Sequence, residues 1–291
     1  MKILITGSSG LLGSKLVEAA KGHDILPTYS TKPLLFPDSL KMDITSRNEV
    51  LRIISEFKPD VVIHTAAETD VDGCEVNKDR AWEVNVEGTK NIAEACAEVG
   101  ASPVYVSTDY VFDGEKGLYD EEDEPKPINH YGLTKLEGER HVTKIGDHLI
   151  VRTSVLYGWH PWKKNFVTWV LNSLRQEKQI TIVDDHYNSP TLADNLAELL
   201  LEAVEKDLIG LYHTAGGERI SRFKFALEIA RTFGLNSELV KPIKMAELKA
   251  WVARRPRDSS LRVDKIRRKL KIKSLDVSEG LRLMKERAPS F

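Results

Sequence analysis

The chain has 291 residues, 41% of them hydrophobic and 30% charged, with 42 basic and 44 acidic side chains and a formal net charge of −2. That supplies a sizeable core, divided as one large domain or as one large and one small domain. The near-neutral balance argues against a bulk electrostatic grip on nucleic acid or on a membrane. Cys74 and Cys96 form no CxxC pair, so buried free thiols are expected rather than a zinc site or a disulfide framework. The first apolar run, Ile3 to Ile5, is too short for a signal peptide. No window approaches the ~20 apolar residues of a membrane helix. The expectation is a cytoplasmic protein with no membrane partner and no metal.

Short apolar runs alternate with longer amphipathic stretches. Lys2–Thr6 is predicted as a strand and Leu11–Lys21 as a helix, followed by a strand at Asp24–Thr28 and a helix at Glu49–Phe57. Val61–His64 reads as a third strand, Ala81–Val99 as a helix, Pro103–Ser107 as a fourth strand, Tyr131–Thr143 as a helix and Leu149–Thr153 as a fifth strand. Continuous apolar strands alternating with helices predict a parallel sheet covered on both faces. After Tyr157 the rhythm changes. Asn165–Gln176 reads as a helix, Gln179–Val183 as a strand, Leu192–Lys206 as a helix, Leu211–Thr214 as a strand and Phe223–Phe233 as a helix. The expected fold class is α/β, a doubly wound parallel sheet with a smaller C-terminal substrate domain. Residues 1–153 with about 188–217 would form the first unit, and about 154–187 with 218–291 the second.

The first strand runs into Gly7-Ser8-Ser9-Gly10-Leu11-Leu12-Gly13, and a helix follows. In this position a GxxGxxG turn suits a dinucleotide, as in the Rossmann fold: Gly7 for the tight turn, Gly10 for backbone approach to a pyrophosphate, Gly13 for helix–strand packing. Ser9, Leu11 and Leu12 belong to the same turn. A site preferring NAD usually carries an acid ~20 residues on, at the ribose 2′-hydroxyl. Here the chain reads Thr28-Tyr29-Ser30-Thr31-Lys32, and Asp24 lies at the wrong end of the strand. Ser30 and Lys32 suit a 2′-phosphate better, so NADP(H) is expected to be preferred, with NAD(H) the alternative and Lys32 then a solvated lysine. Asp43 and Ile44 are expected to border the adenine.

Tyr131 and Lys135 stand at i and i+4 on one helical face. A free tyrosine, with a pKa of about 10, exchanges protons poorly at neutral pH. A neighbouring ammonium favours its phenolate. Tyr131 then gives a proton to a carbonyl oxygen while hydride arrives at carbon, and Lys135 also holds the ribose hydroxyls. The spacing alone is common by chance. Thr108, just past the fourth strand where such sheets bind ligands, adds a hydroxyl expected to orient the carbonyl.

These segments resemble the extended short-chain dehydrogenase/reductases, and among them the dTDP-4-dehydrorhamnose reductase family. The matching stretches are Thr65-Ala66-Ala67, Asn85, Ser107–Gly114, Tyr131–Lys135, Arg152–Ser154, Asp184–Thr191, Gly210–His213 and Arg255–Leu261, in family order over nearly the whole chain. The resemblance implies a triad of Thr108, Tyr131 and Lys135, with Ala66, Ala67 and Asn85 along the cofactor cleft. It implies reduction of a 4-keto group on a nucleotide-linked deoxysugar, and a homodimer. Asp109 and Val155 would meet the substrate. Two positions depart from the family: Val155 replaces a tryptophan and Glu68 a tyrosine. The regulatory β subunits of methionine adenosyltransferase, which bind NADP and act through a partner, are also similar. A sugar-nucleotide epimerase is a third alternative.

Other features carry weaker signals. The acidic run from Asp120 to Glu124 reads as a solvated loop. The basic stretch from Arg254 to Lys273 offers Arg255 and Arg257 to a diphosphate, or else forms an exposed face. Trp159, Trp162 and Trp169 read as core or pocket wall, and His186 is expected to face the cleft.

Overall fold

Seven strands form one all-parallel sheet in the computed structural model, which describes residues 1–32, 36, 38–248 and 250–289. In chain order they are β1 (Lys2–Thr6), β2 (Asp24–Tyr29), β3 (Leu40–Lys41), β4 (Val61–His64), β5 (Ser102–Thr108), β6 (Leu149–Thr153) and β7 (Gly210–His213). In space they run β7-β6-β5-β4-β1-β2-β3. Chain order reverses between β1 and β4, whose registers are paired from Ile3–Val61 to Thr6–His64. A crevice opens beyond the carboxyl ends of strands at such a reversal.

Burial on both faces explains the apolar strands, since β4 and β6 are buried throughout. Side chains alternate across the sheet. Ile3, Ile5, Ile63 and Val151 join Leu12, Leu16, Leu196 and Leu200 on one side, from helices Leu11–Ala19 and Ala193–Glu205. Leu4 and Val62 join Val50, Ile54, Ile92 and Cys96 on the other, from helices Arg47–Phe57 and Gly88–Val99. Both cysteines are buried and free. A separate core gathers Val167, Leu171, Phe225, Ile229 and Leu281 from helices Phe166–Arg175, Arg222–Phe233 and Val277–Glu286. Leu261, Val263, Ile266 and Leu270 return to the sheet core. Among the described residues, no helix is long and apolar enough to cross a membrane.

The expected helix at Ala81–Val99 proves to be composite. Lys78–Trp82 is α-helical, Glu83–Glu87 forms a π-helical turn, and Gly88–Val99 resumes the α-helix. The wider turn inserts a residue that a 3.6-residue period does not show. Strand β3 and the short helix Val71–Val76 also went unanticipated; neither is long enough to display a period.

Helix His130–Val142, which carries Tyr131 and Lys135, is tied to the sheet by charge. Buried Glu139 accepts from Arg152 Nε at 2.9 Å and Nη2 at 2.7 Å, and from Ser107 Oγ at 2.5 Å. One carboxylate thus joins the helix to β5 and β6. Removing one partner strands the other charge in the core, so Glu139→Ala should cost about 3–5 kcal/mol. Arg52→Ala, which breaks an exposed pair with Glu56, should cost less than about 1 kcal/mol. Urea unfolding of both variants checks the contrast.

Candidate active site

The glycine turn is shaped by close approach. Gly7 has φ 66°, and a Cβ there would lie 2.8 Å from the backbone of Ala66. At Gly13 a Cβ would lie 2.2 Å from the Gly7 carbonyl oxygen, whereas at Gly10 that oxygen, at 3.1 Å, is the sole close neighbour. Ser8 fastens the turn to β2, with its N–H and its hydroxyl both donating to the Thr28 carbonyl at 2.9 Å. Helix Leu11–Ala19 then starts with no side-chain cap and no acid in its first turn. Its free N–H groups and positive dipole end are uncompensated where Gly10 to Gly13 line a cleft of about 490 Å³.

The opposite wall comes from β5 and the His130–Val142 helix. Asn129 caps that helix by accepting the Gly132 N–H at 2.8 Å. A Cβ at Gly132 would meet the Tyr110 carbonyl at 2.1 Å, so the helix start lies directly against the β5 end. Thr108, Asp109, Tyr131 and Lys135 all line the cleft. Burial pushes the Tyr131 phenol above its ordinary range, the opposite of the lowering expected from a neighbouring ammonium, because the loss of water outweighs the influence of Lys135. Lys135 is 3% exposed. Its Nζ lies 4.1 Å from the centre of the Tyr105 ring. Burial pushes Lys135 down to about 7, against the attraction of Glu139.

The loop after β4 closes the floor. Thr65 donates to the Thr6 carbonyl at 2.6 Å, and the Ala66 N–H donates to Thr6 Oγ1 at 3.2 Å. Ala67 lines the cleft, whereas Ala66 sits beneath it against Gly7. Asn85, on the π-helical turn, is buried below. It accepts the Glu68 N–H at 2.8 Å, and its amide donates to the Glu68 carbonyl at 3.0 Å and to Thr134 at 3.1 Å. The Glu68 carboxylate turns to the Asp70 N–H at 3.1 Å. Ser30 and Lys32 are exposed just past β2. Asp43 is exposed too, and the Thr45 N–H at 3.0 Å and Oγ1 at 2.8 Å hold its carboxyl below the usual range. Ile44 is buried against Gly88.

Some expected residues lie elsewhere. Arg255 pairs with Asp72 at 3.0 Å and donates to the Ala253 carbonyl, outside the cleft. Arg257 is exposed, with its backbone against Gly114. His186 is buried and does not line the cleft; its ring meets Trp251 edge-on. Trp159 joins the second core, and Trp162 and Trp169 are exposed. In the acidic run, Glu121 accepts the His213 N–H at the sheet edge. No metal-ligand cluster occurs among the described residues. Val155 does line the cleft, with φ 45°, a left-handed conformation rare for a β-branched residue.

Besides Lys135, the basic residues that line the cleft are Lys163, Lys164 and Arg222, beside Asn165 and Phe166. Arg222 Nε donates to Asn188 at 2.8 Å, and its guanidinium lies 4.9 Å from the Phe166 ring centre. The Lys163-Lys164 doublet directly before a helix cap was the available signal. Arg222 had none, because the fold brings it in from a distant segment.

The lowered Lys135 value has a measurable consequence. Between about 7 and 10.5 the unfolded chain holds a proton on Lys135 that the folded chain lacks, so this residue makes stability rise with pH across that window. Lys135→Met should flatten the rise, as read from urea unfolding at pH 7 and pH 9.

A family profile described as the RmlD substrate binding domain matches residues 1–288. A dTDP-4-dehydrorhamnose reductase of Aggregatibacter actinomycetemcomitans is 34% identical over 294 residues, covering 97% of each chain. Methionine adenosyltransferase 2 subunit beta of Bos taurus is 32% identical over 268 residues, covering 89% of this chain and 80% of that one. The solved structure of a dTDP-4-dehydrorhamnose reductase from Bacillus anthracis, in complex with NADP, superposes with a TM-score of 0.90 at 33% identity and covers 99% of both chains. The chain therefore belongs to the RmlD substrate-binding-domain family, within the extended short-chain dehydrogenase/reductases.

Proposed function

We propose that this protein is an NADPH-dependent reductase of the 4-keto group of a nucleotide-linked deoxysugar, with dTDP-4-dehydrorhamnose the first substrate to try. One observation carries the reading: Tyr131 and Lys135, one helical turn apart, share a cleft with an uncapped helix start behind a glycine turn. The cradle fits a dinucleotide. Gly10 to Gly13 would hold the pyrophosphate, Lys135 the nicotinamide ribose, and Ala66, Ala67 and Asn85 would shape the floor. When bound, the nicotinamide supplies the hydride.

The chain's own groups handle the proton. Tyr131 is protonated at neutral pH and is the donor assigned to the carbonyl oxygen, although burial holds it above its ordinary range and makes it a weaker acid than a free tyrosine. Lys135, held near 7, is poised to gain or lose a proton beside it. Thr108 completes the triad. Lys163, Lys164 and Arg222 suit the substrate diphosphate better than Arg255 or Arg257, because they line the cleft. Ser30 and Lys32, with no acid among Tyr29 to Lys32, favour the 2′-phosphate of NADPH, and NADH remains the weaker alternative. We assign residues 1–153 with about 188–217 to the dinucleotide unit and the rest to the substrate unit, except that Leu261 to Leu270 pack with the first. A homodimer, on family resemblance, and a cytoplasmic location, on the sequence reading, complete the proposal.

NADPH oxidation followed by absorbance over a panel of 4-keto sugar nucleotides tests the reading. Tyr131→Phe should lower turnover by roughly 10²–10⁴-fold with NADPH binding retained. Undiminished turnover would defeat the assignment. The wild type should bind NADPH more tightly than NADH, and Lys32→Ala should narrow the gap. A second reading, a dinucleotide-binding subunit that acts through a partner enzyme, draws on the similarity to methionine adenosyltransferase 2 subunit beta. Stoichiometric capture of such a partner by a chain that oxidises no NADPH would favour it.

A further inference from the structure

We propose that Asp109 is a positioning residue that sets the direction of the Thr108 hydroxyl, so that Thr108 offers the cleft a lone pair and receives a hydrogen bond there rather than giving one. This rests on the reductase reading above and assigns Asp109 a role other than substrate contact. Asp109 is 2% exposed, and its carboxylate takes three hydroxyls. Thr108 Oγ1 lies 3.1 Å from Oδ1, while Ser154 Oγ at 2.8 Å and Ser259 Oγ at 2.5 Å both reach Oδ2.

A hydroxyl has one hydrogen and two lone pairs, and an ionised carboxylate only accepts. Ser154 already accepts the Ser189 N–H at 3.4 Å, and Ser259 the Asn188 amide at 2.9 Å, which leaves their hydrogens for Asp109. Thr108 likewise accepts the Tyr110 N–H at 3.2 Å and spends its single hydrogen on Oδ1. What remains on Thr108 is one lone pair, in the cleft that Tyr131 also lines. Any group that hydrogen-bonds to Thr108 from the cleft, the Tyr131 phenol included, must therefore do so as the donor. The three hydroxyls, together with nearby Arg222, oppose the burial that favours a neutral Asp109.

Asp109→Asn reverses the polarity at this point. The amide oxygen replaces Oδ2 for the two serines, the amide nitrogen donates to Thr108, and the Thr108 hydrogen is freed toward the cleft. With the NADPH-loaded enzyme, Asp109→Asn should lower kcat about tenfold with KM changed less than about twofold. In the Thr108→Val background it should lower kcat no further, because both changes act through one hydroxyl. An unchanged or raised kcat in Asp109→Asn, or additive losses in the double variant, overturns the proposal. A second measurement needs neither cofactor nor turnover: carboxyl-carbon NMR of the wild type should show Asp109 ionised at pH 7. A neutral Asp109 at that pH overturns the proposal, since it would itself donate to Thr108. A wild type inert toward every keto sugar nucleotide sinks the reductase reading, and the carbon titration still decides the hydroxyl's direction.

Discussion

The ion pair between Glu139 and Arg152 is the constraint on which the site depends. Glu139 lies one turn beyond Lys135 on the same helix, and Arg152 lies in the sheet. Two bonds from the guanidinium and a third from Ser107 leave the carboxylate little freedom. The helix bearing Tyr131 and Lys135 therefore meets the ends of β5 and β6 at one register. Phe112 lies against the same guanidinium and stacks on Tyr119, so the clamp is also packed from below.

A second node complements it at the top of the sheet. Asp109 gathers hydroxyls from the ends of β5 and β6 and from Ser259 in the C-terminal part of the chain. Burial alone would favour its neutral form, and the hydroxyls counter that. One side of the cleft is thus built around two buried carboxylates, one holding a helix and the other a loop. The opposing side is left electrically open, since the Leu11–Ala19 helix begins without an acid or a cap. That asymmetry suits an anionic ligand entering between them.

The tuning of Tyr131 and Lys135 follows from this packing. Both groups are held away from water, and each is pushed toward its neutral form. Both shifts work against transfer of the phenol proton to the amine, so Tyr131 rests as a neutral phenol beside an amine that titrates near neutrality. Val155 adds a conformational element, with a left-handed backbone where the chain leaves β6 and its carbonyl held by the Thr191 N–H. Such strain persists only where the surroundings over-determine it.

Much of this could be read from residues alone, because the relevant signals are local. Apolar runs marked β1, β2, β4, β5 and β6 near the observed bounds, since strands covered on both faces are mostly apolar. Gly7 and Gly13 announced the turn because a Cβ at either would collide with backbone, and Tyr131 and Lys135 shared a face because a helix repeats in about four residues. What tertiary structure decided was anything set by contacts between distant segments. Arg255 and Arg222 are both arginines in polar surroundings, yet one is spent on Asp72 and the other lines the cleft. No short-range pattern separates them. The π-helical turn that aims Asn85, the Glu139–Arg152 clamp and the direction of the Thr108 hydroxyl have the same origin. Each depends on which partner folding brings within about 3 Å, and sequence spacing carries no information about that.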